Sequence, residues 1–133
     1  MPSFARSVSL LGRSALLALL IACSDDPLSP FQPEITSGVD SFEAQATDVA
    51  NLTTTQAYTW SNTGSRATIN HSTITASGAA RLIVKDAAGV TVYDHTLVPS
   101  LNEATAVGAA GLWRIELRFT SYSGTLNFRA EKL

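Results

Sequence analysis

The stretch that decides the fold of this chain is WRIELRF at residues 113–119. Apolar and charged side chains alternate along it without interruption, and a period of two is typical of a β-strand with one face in a core and the other in water. A slip of one residue in register would bury three charges without matched partners, which is energetically prohibitive. The stretch therefore predicts a strand with a buried face of Trp113, Ile115, Leu117 and Phe119 and a wet face of Arg114, Glu116 and Arg118.

Shorter alternating segments predict further strands on both sides of this one. Residues 81–85 and 90–94 are expected to form a hairpin, joined by the turn DAAG, whose glycine tolerates positive φ. The sequence SYSG at residues 121–124 is expected to turn the chain. Residues 126–130 would then return beside residues 113–119 as a terminal hairpin.

About eight short strands are expected from residue 40 onward, one of them at residues 103–107, with no convincing helix among them. Short strands separated by turn residues favour an antiparallel β-sandwich, with a barrel as the alternative. The predicted fold class is therefore all-β. It is an antiparallel β-sandwich, jelly-roll-like or Ig-like, preceded by an N-terminal signal helix and a proline-rich tether.

Two parts of the predicted sandwich resemble a known domain family. The sequences SG at residues 77–78 and LIVKD at residues 82–86, followed by Gly89, resemble a hairpin of bacterial pre-peptidase C-terminal-like β-sandwich domains. The sequences GLWRI at residues 111–115 and SGTLNF at residues 123–128 are similar to a later strand and the closing hairpin of such domains. The resemblance implies a sandwich with a non-catalytic accessory role.

The N-terminal segment carries a second resemblance. The apolar run LLALLIAC at residues 16–23 ends in the only cysteine of the chain and follows a short stretch with Arg6, Arg13 and no acidic residue. The run is too short to span a bilayer but has the right length for a signal peptide. The sequence LIAC at residues 20–23 resembles the lipobox of bacterial lipoproteins, which implies cleavage before Cys23 and lipidation of its thiol. The alternative is an ordinary secreted protein with an unpaired thiol.

The predicted domain organisation follows from this anchor. Residues 1–22 are the lipoprotein signal peptide, residues 23–39 the lipidated cysteine and a flexible tether, and residues 40–133 the β-sandwich domain. The tether is predicted because prolines, which favour an extended backbone, recur at every third position: Pro27, Pro30 and Pro33. The alternative is that apolar side chains of this segment fold back onto the domain, namely Leu28, Phe31 and Ile35.

Charge and the residue after the cysteine limit the partners and the location. The chain has 9 basic and 11 acidic side chains, and loss of Arg6 and Arg13 with the signal peptide leaves 7 against 11. A mature net charge near −4 argues against nucleic acid as a partner. In enterobacterial lipoproteins an aspartate directly after the cysteine retains the protein at the inner membrane, so Ser24 favours the outer membrane. The expected partners are the membrane, through lipidated Cys23, and another envelope protein or a glycan.

Tyr58 and Trp60 are the candidate ligand-binding residues of the mature domain. Positions i and i+2 of a strand share one face, and two aromatic rings on one face can form a platform on which sugar rings stack. The alternative is that both rings fill the core, as large aromatic side chains usually do. The sequence thus leaves a carbohydrate-binding module open as a second interpretation.

No catalytic constellation accompanies the only two histidines, His71 and His95. Both are predicted to be solvated residues near strand ends, without a nucleophile motif or a metal-binding partner. Asp86 and Asp94 are assigned to turns, because a four-residue turn with one carboxylate cannot supply the six or more oxygen ligands of calcium. The sequence predicts a non-enzymatic binding or structural protein without a metal site or cofactor.

Overall fold

The structure is a computed structural model that describes residues 31–133. The predicted signal peptide, Cys23 and residues 24–30 of the predicted tether lie outside the described residues. Residues 31–133 form one antiparallel sheet and contain no helix, hence none long and apolar enough to cross a membrane. The seven strands are β1 Glu34–Gly38, β2 Ser41–Asn62, β3 Ala67–His71, β4 Ile74–Lys85, β5 Thr91–Thr96, β6 Leu101–Ala104 and β7 Gly111–Lys132.

Strand β7 is the axis of the sheet because it is paired along both of its sides. On one side it pairs with β2 over nearly its whole length, from Ser41 opposite Glu131 to Asn62 opposite Gly111. On the other side it pairs with β4 and then with β3. Strand β5 borders β4, β6 borders β3, and β1 borders the first residues of β2. The predicted all-β antiparallel class is confirmed, with seven strands in one sheet where the sequence predicts about eight shorter ones.

The long strands fold back on themselves. Phe42 and Tyr58 lie sixteen residues apart in β2, and a straight strand would separate them by about 53 Å. Their ring centroids are 5.8 Å apart. At the ends of the same strand, the amide nitrogen of Asp40 donates to the carbonyl oxygen of Ser61 at 2.8 Å. The sheet therefore bends in the middle of its two 22-residue strands, β2 and β7. Each of these two strands contributes one segment to each half of the sheet.

The bends coincide with β-bulges, at which the register of pairing shifts. Residues with positive φ lie at these shifts: Asp48 and Asn51 in β2, Gly78 in β4, and Ser121 and Gly124 in β7. At Gly78, with φ of 71°, an added Cβ would lie 2.1 Å from the carbonyl oxygen of Ser121. Only glycine fits there, so β4 and β7 cross the bend in close backbone contact.

One hydrophobic core cluster draws on residues from both halves of the sheet. The predicted buried face of β7 is confirmed, since Trp113, Ile115 and Leu117 are fully buried and Phe119 is 3% exposed. Beyond the bulge the buried positions change from odd to even numbers and include Leu126, Phe128 and Ala130. The register inferred from WRIELRF is therefore the register of the structure.

One residue of the predicted wet face is not wet. Arg114 and Arg118 are exposed, but Glu116 between them is only 7% exposed. Its carboxylate lies 2.6 Å from the Nε of Arg118 and 4.0 Å from the Nε of Arg114. The two guanidinium groups shield the carboxylate from water and supply the opposite charge that a buried anion requires.

The predicted terminal hairpin is wrong. Residues 121–124 do not reverse the chain but form the bulge inside β7, and residues on both sides of them pair with β2. Tyr122, which would lie at the tip of a hairpin, is fully buried. Its hydroxyl donates to the carbonyl oxygen of Ile74 at 3.2 Å. Serine and glycine supply positive φ at a bulge as they do at a turn, which explains the misreading.

Part of the predicted tether belongs to the sheet. Strand β1 pairs with β2 from Glu34 opposite Gln45 to Gly38 opposite Ser41. Phe31 packs against Phe119 with ring centroids 5.2 Å apart, and Ile35 also packs against the core. Phe31 and Ile35 thus fold back onto the domain, as in the alternative to a flexible tether.

The other local predictions fare unequally. The hairpin of residues 81–94 is confirmed as β4 and β5, with Asp86 in its turn. The Asp86 carboxylate accepts backbone N–H groups of Ala88 at 2.9 Å, Val90 at 2.8 Å and Ala109 at 2.9 Å. These hydrogen bonds hold the pKa of Asp86 below its usual value, and the bond from Ala109 has the largest effect. The short strand expected at residues 103–107 is shifted and becomes β6.

Candidate functional site

A row of polar side chains crosses the outer face of the half of the sheet that contains β1, β3 and β6. Cross-strand pairing places Thr36 opposite Glu43, Glu43 opposite Arg129, Arg129 opposite Asn70, and Asn70 opposite Asn102. The row therefore touches five strands in the order β1-β2-β7-β3-β6. With neighbouring strands about 4.8 Å apart, it is about 19 Å long.

The row forms the floor of a groove of about 300 Å³. A second hollow of about 180 Å³ lies toward β1 and shares Glu43, Arg129 and Glu131 with the first. Every side chain that lines the larger hollow is polar: Glu43, Thr68, Asn70, Ser72, Asn102, Asn127, Arg129 and Glu131. We call the two hollows together the polar groove.

The charges of the polar groove largely balance one another. Nη2 of Arg129 lies 3.0 Å from the carboxylate of Glu43, and Nη1 lies 3.8 Å from that of Glu131. One guanidinium between two carboxylates leaves a small negative excess, which does not favour an anion. The side-chain amides of Asn70 and Asn102 make no hydrogen bond to other residues of the described range 31–133.

This lining determines which ligands the polar groove can bind. An apolar ligand would cover amide, hydroxyl and charged groups without replacing their hydrogen bonds to water, at a cost of roughly 1–3 kcal/mol for each group. A ligand rich in hydroxyl groups can instead accept from Arg129 and the asparagine amides and donate to Glu43 and Glu131. The groove is thus suited to an elongated, uncharged, hydroxyl-rich molecule.

The two aromatic candidates lie elsewhere and do not form an exposed platform. Trp60 is 1% exposed and meets the ring of Trp113 edge-on, with centroids 5.9 Å apart and an interplanar angle of 80°. Its Nε1 is buried without a hydrogen-bond partner among the described residues. Tyr58 is half-buried, and its hydroxyl donates to Gln56. A sugar ring has no access to Trp60, so the core interpretation describes that residue.

His71 departs from its predicted solvated position, because it is 2% exposed. The backbone N–H of Val98 donates to its Nδ1 at 3.3 Å, so the imidazole proton lies on Nε2. Nε2 is 2.6 Å from the hydroxyl of Tyr93, which in turn donates to Glu103 at 2.9 Å. These three side chains form a buried chain of hydrogen bonds between β3, β5 and β6, which we call the His71 network.

Two members of the His71 network, His71 and Tyr93, are stabilised in their neutral forms. Burial is the largest cause that lowers the pKa of His71, the nearby His95 lowers it further, and Glu103 opposes both. Burial also raises the pKa of Tyr93, and its hydrogen bond to Glu103 acts in the same direction. His71 and His95 meet edge-on with centroids 5.4 Å apart. Groups of three or more residues placed to hold a metal ion are absent from residues 31–133.

Sequence reasoning missed the polar groove because its members come from distant parts of the chain. Thr36, Arg129 and Asn102 are separated by most of the domain, and only the pairing register brings them onto one face. The available signal was the run of amide, hydroxyl and charged residues at outward positions of β3 and of the end of β7. Neither any protein-family model nor any curated protein sequence matches this chain, so the polar groove is interpreted from its own chemistry.

Proposed function

We propose that this chain is a lipid-anchored protein of the bacterial cell envelope whose β-domain is a non-catalytic binding module. Lipidation at Cys23 is supported by the signal-like segment, its lipobox-like end and the single cysteine. Ser24 supports the outer membrane as the location. The domain would face the periplasm or the cell surface, and the anchor would be its contact with the membrane.

We also propose that the two halves of the folded-back sheet are the layers of a β-sandwich. The contact of Phe42 with Tyr58 supports this arrangement, since the two rings lie on different segments of β2. A single core that draws on both halves supports it as well. The resemblance to pre-peptidase C-terminal-like domains agrees with such a sandwich and with an accessory role.

The observation that carries the binding proposal is the polar groove. Its length of about 19 Å favours an extended ligand over a compact one, and its lining of amide, hydroxyl and largely paired charged groups favours a hydroxyl-rich chain. We therefore propose a glycan of the envelope as the ligand, bound along the row that includes Glu43, Arg129 and Asn70. This proposal moves the carbohydrate interpretation from the aromatic pair to the outer face of the sheet.

Calorimetric titration of the mature protein with neutral oligosaccharides, including peptidoglycan fragments, tests this proposal. We expect Arg129→Ala and Asn70→Ala each to weaken binding by about tenfold, because the first removes guanidinium donors beside the ligand and the second removes a side-chain amide that has no partner within residues 31–133. Arg114→Ala is the matched control, since Arg114 lies on the outer face of the other half of the sheet. An equal loss of affinity in the control, or no binding of any oligosaccharide, would contradict the glycan proposal.

The anchor is tested separately. Mass spectrometry of the mature protein is expected to find a diacylglyceryl cysteine at the N-terminus, and Cys23→Ala is expected to leave an uncleaved precursor. Two or more acyl chains on one residue give stable anchoring, since each buried CH₂ contributes about 0.8 kcal/mol. A soluble wild-type form that begins at another residue would contradict the lipoprotein proposal without affecting the groove.

A further inference from the structure

The second half of β2 is an open edge of the sheet. From residue 47 onward this strand pairs with β7 on one side, while β1 covers only the first residues of β2. The carbonyl oxygen of Ser61 points away from β7, because it accepts from the amide nitrogen of Asp40. The N–H and C=O groups of successive residues in a strand point alternately to its two sides, and no register shift occurs after Thr54. Thr55, Ala57 and Thr59 therefore also direct their N–H and C=O groups away from β7.

These outward groups have no protein partner within residues 31–133. Thr55, Ala57 and Thr59 are exposed, and their outward-directed N–H and C=O groups bond to no other residue of the range 31–133. An exposed row of unpaired N–H and C=O groups is a template for pairing with another strand. We call Thr55, Ala57 and Thr59 the open edge.

The other edges of the sheet carry the features that natural proteins use to prevent such pairing. Strand β6 is only 4 residues long, and Glu103 points from it toward the core side, opposite Ile69. Strand β5 carries Asp94, ion-paired with Arg81 at 2.6 Å, and β1 is a 5-residue strand that begins with Glu34. The open edge has none of these features, since residues 49–65 contain no charged side chain and no proline.

We propose that the open edge pairs with the open edge of a second copy of this chain, in antiparallel register about Ala57. In this register Ala57 faces Ala57 of the second copy, and Thr55 faces Thr59. All of the paired residues then have outward-directed backbone groups, so the hydrogen-bond ladder continues from one sheet into the next. The facing side chains are threonine and alanine, and threonine pairs are favourable across antiparallel strands.

A second copy fits this edge better than the segment that precedes the described residues. That segment contains Pro27 and Pro30, and a proline has no N–H to donate to a ladder. Two-fold self-pairing would bring any charge on the edge close to its own copy, and the uncharged stretch of residues 49–65 avoids that repulsion. The pairing also closes on itself, because each copy uses the open edge once.

The experiment measures the oligomeric state of the full chain and traps the contact. Sedimentation velocity of the wild type is expected to show a concentration-dependent dimer. Ala57→Lys is expected to weaken the dimer by about tenfold or more, because like charges would face each other across the two-fold axis. The side chain at residue 57 is exposed, so the monomer tolerates lysine. Ala104→Lys, at an exposed alanine on the protected β6 edge, is the matched control and is expected to leave the dimer unchanged.

Cysteine trapping identifies the occupant of the edge. Ala57→Cys in the full chain is expected to give a disulfide-linked homodimer above the background of the parent chain with Cys23 alone, and Ala104→Cys is expected to give none. A monomeric wild type at all concentrations, or a dimer that Ala57→Lys leaves intact, would overturn the proposal. Trapping of a different protein at residue 57 instead of a second copy would overturn the proposed occupant as well.

Discussion

The two halves of β7 follow the same alternating pattern but present different outer faces. In the first half, Arg114, Glu116 and Arg118 bond chiefly to one another, and the carboxylate between the two guanidinium groups is largely removed from water. In the second half, Arg129 is shared between Glu43 and Glu131, and the amides beside it have no partner among the described residues. The charged groups on the outer face of the first half are paired with one another, whereas the outer face of the second half retains side-chain amides that can still form hydrogen bonds. Alternation along β7 thus indicates which side chains are buried, while the cross-strand neighbours decide whether an outer face can bind a ligand.

The largest expected effect comes from the bend that separates these halves. Gly78→Ala is expected to destabilise the domain by about 4 kcal/mol or more, because the new Cβ would clash with the carbonyl oxygen of Ser121 at 2.1 Å in a backbone of positive φ. Gly89→Ala is the matched control, since Gly89 has φ of 81° but open space around it. We expect about 1–2 kcal/mol there. Urea denaturation measures both, and equal losses would show that the bend is not constrained by close packing.

Truncation in the first half of β7 is expected to have the next largest effect. Trp113→Ala removes a fully buried ring that contacts Trp60 and leaves a cavity, at a cost of about 3–5 kcal/mol. Arg114→Ala, on the exposed face of the same strand, is expected to cost well under 1 kcal/mol, because its Nε lies 4.0 Å from Glu116 while Arg118 keeps the closer contact of 2.6 Å. Denaturant melts of both variants compare the two faces directly. A larger loss for Arg114→Ala would mean that the buried face has been misassigned.

The second half of β7 is expected to be the more sensitive to acid. It pairs with β3, where His71 is buried opposite Phe128 and faces His95, Tyr93 and Glu103. The folded-state pKa of His71 is lowered, so below about pH 6.5 the unfolded chain binds more protons than the folded one. Stability is therefore fully present above that pH and is lost as the pH falls toward the lowered pKa.

Hydrogen exchange between pH 7 and pH 5 tests this acid sensitivity. Amides of the second half of β7 are expected to lose protection before those of the first half, and His71→Asn is expected to flatten the pH dependence. Asp86 and Asp94 also have lowered pKa values. Because they are carboxylates, their contribution to the stability of the domain is lost only at a lower pH than that of His71. Uniform loss of protection along β7, unaffected by His71→Asn, would contradict the assignment.

The smallest effect on stability is expected at the polar groove itself. The guanidinium of Arg129 is half exposed, and its pair with Glu43 is a surface ion pair worth about 0–1 kcal/mol. Arg129→Ala is therefore expected to change the denaturation midpoint little while it weakens ligand binding. A large loss of stability in this variant would mean that Arg129 serves the fold instead of a ligand.

The sequence predicts the features of the fold that depend on one strand or one turn. The buried face of residues 113–119 and the hairpin around Asp86 are both read correctly, because alternation and turn chemistry are local signals. The bulge at residues 121–124 is misread, since serine and glycine accommodate positive φ at either a turn or a bulge. Glu116 is misread for a related reason, because its burial depends on flanking guanidinium groups and on Ala57 and Ile83 across the sheet.

The candidate site was less accessible to sequence reasoning than the fold. Asn70, Asn102 and Arg129 look like ordinary outward residues of three strands, and only their register makes them neighbours. His71 lies in a polar run, and its burial depends on Tyr93 and Glu103, which come from two later strands. The aromatic pair Tyr58 and Trp60 predicts an exposed platform for a sugar, but the folded-back β2 directs Trp60 into the core.

Observation of the side-chain amides of the polar groove while a ligand is added tests the proposed binding face without any substitution. Two-dimensional NMR spectra of the ¹⁵N-labelled protein, titrated with neutral oligosaccharides, resolve the NH₂ signals of individual asparagines. We expect the signals of Asn70, Asn102 and Asn127 to shift together and saturate, while those of Asn51, exposed at the bend, and Asn62, buried in the core, stay in place. Shifts at Asn51 equal to those in the groove, or no shift at the three groove asparagines, would contradict the assignment of this face as the binding site.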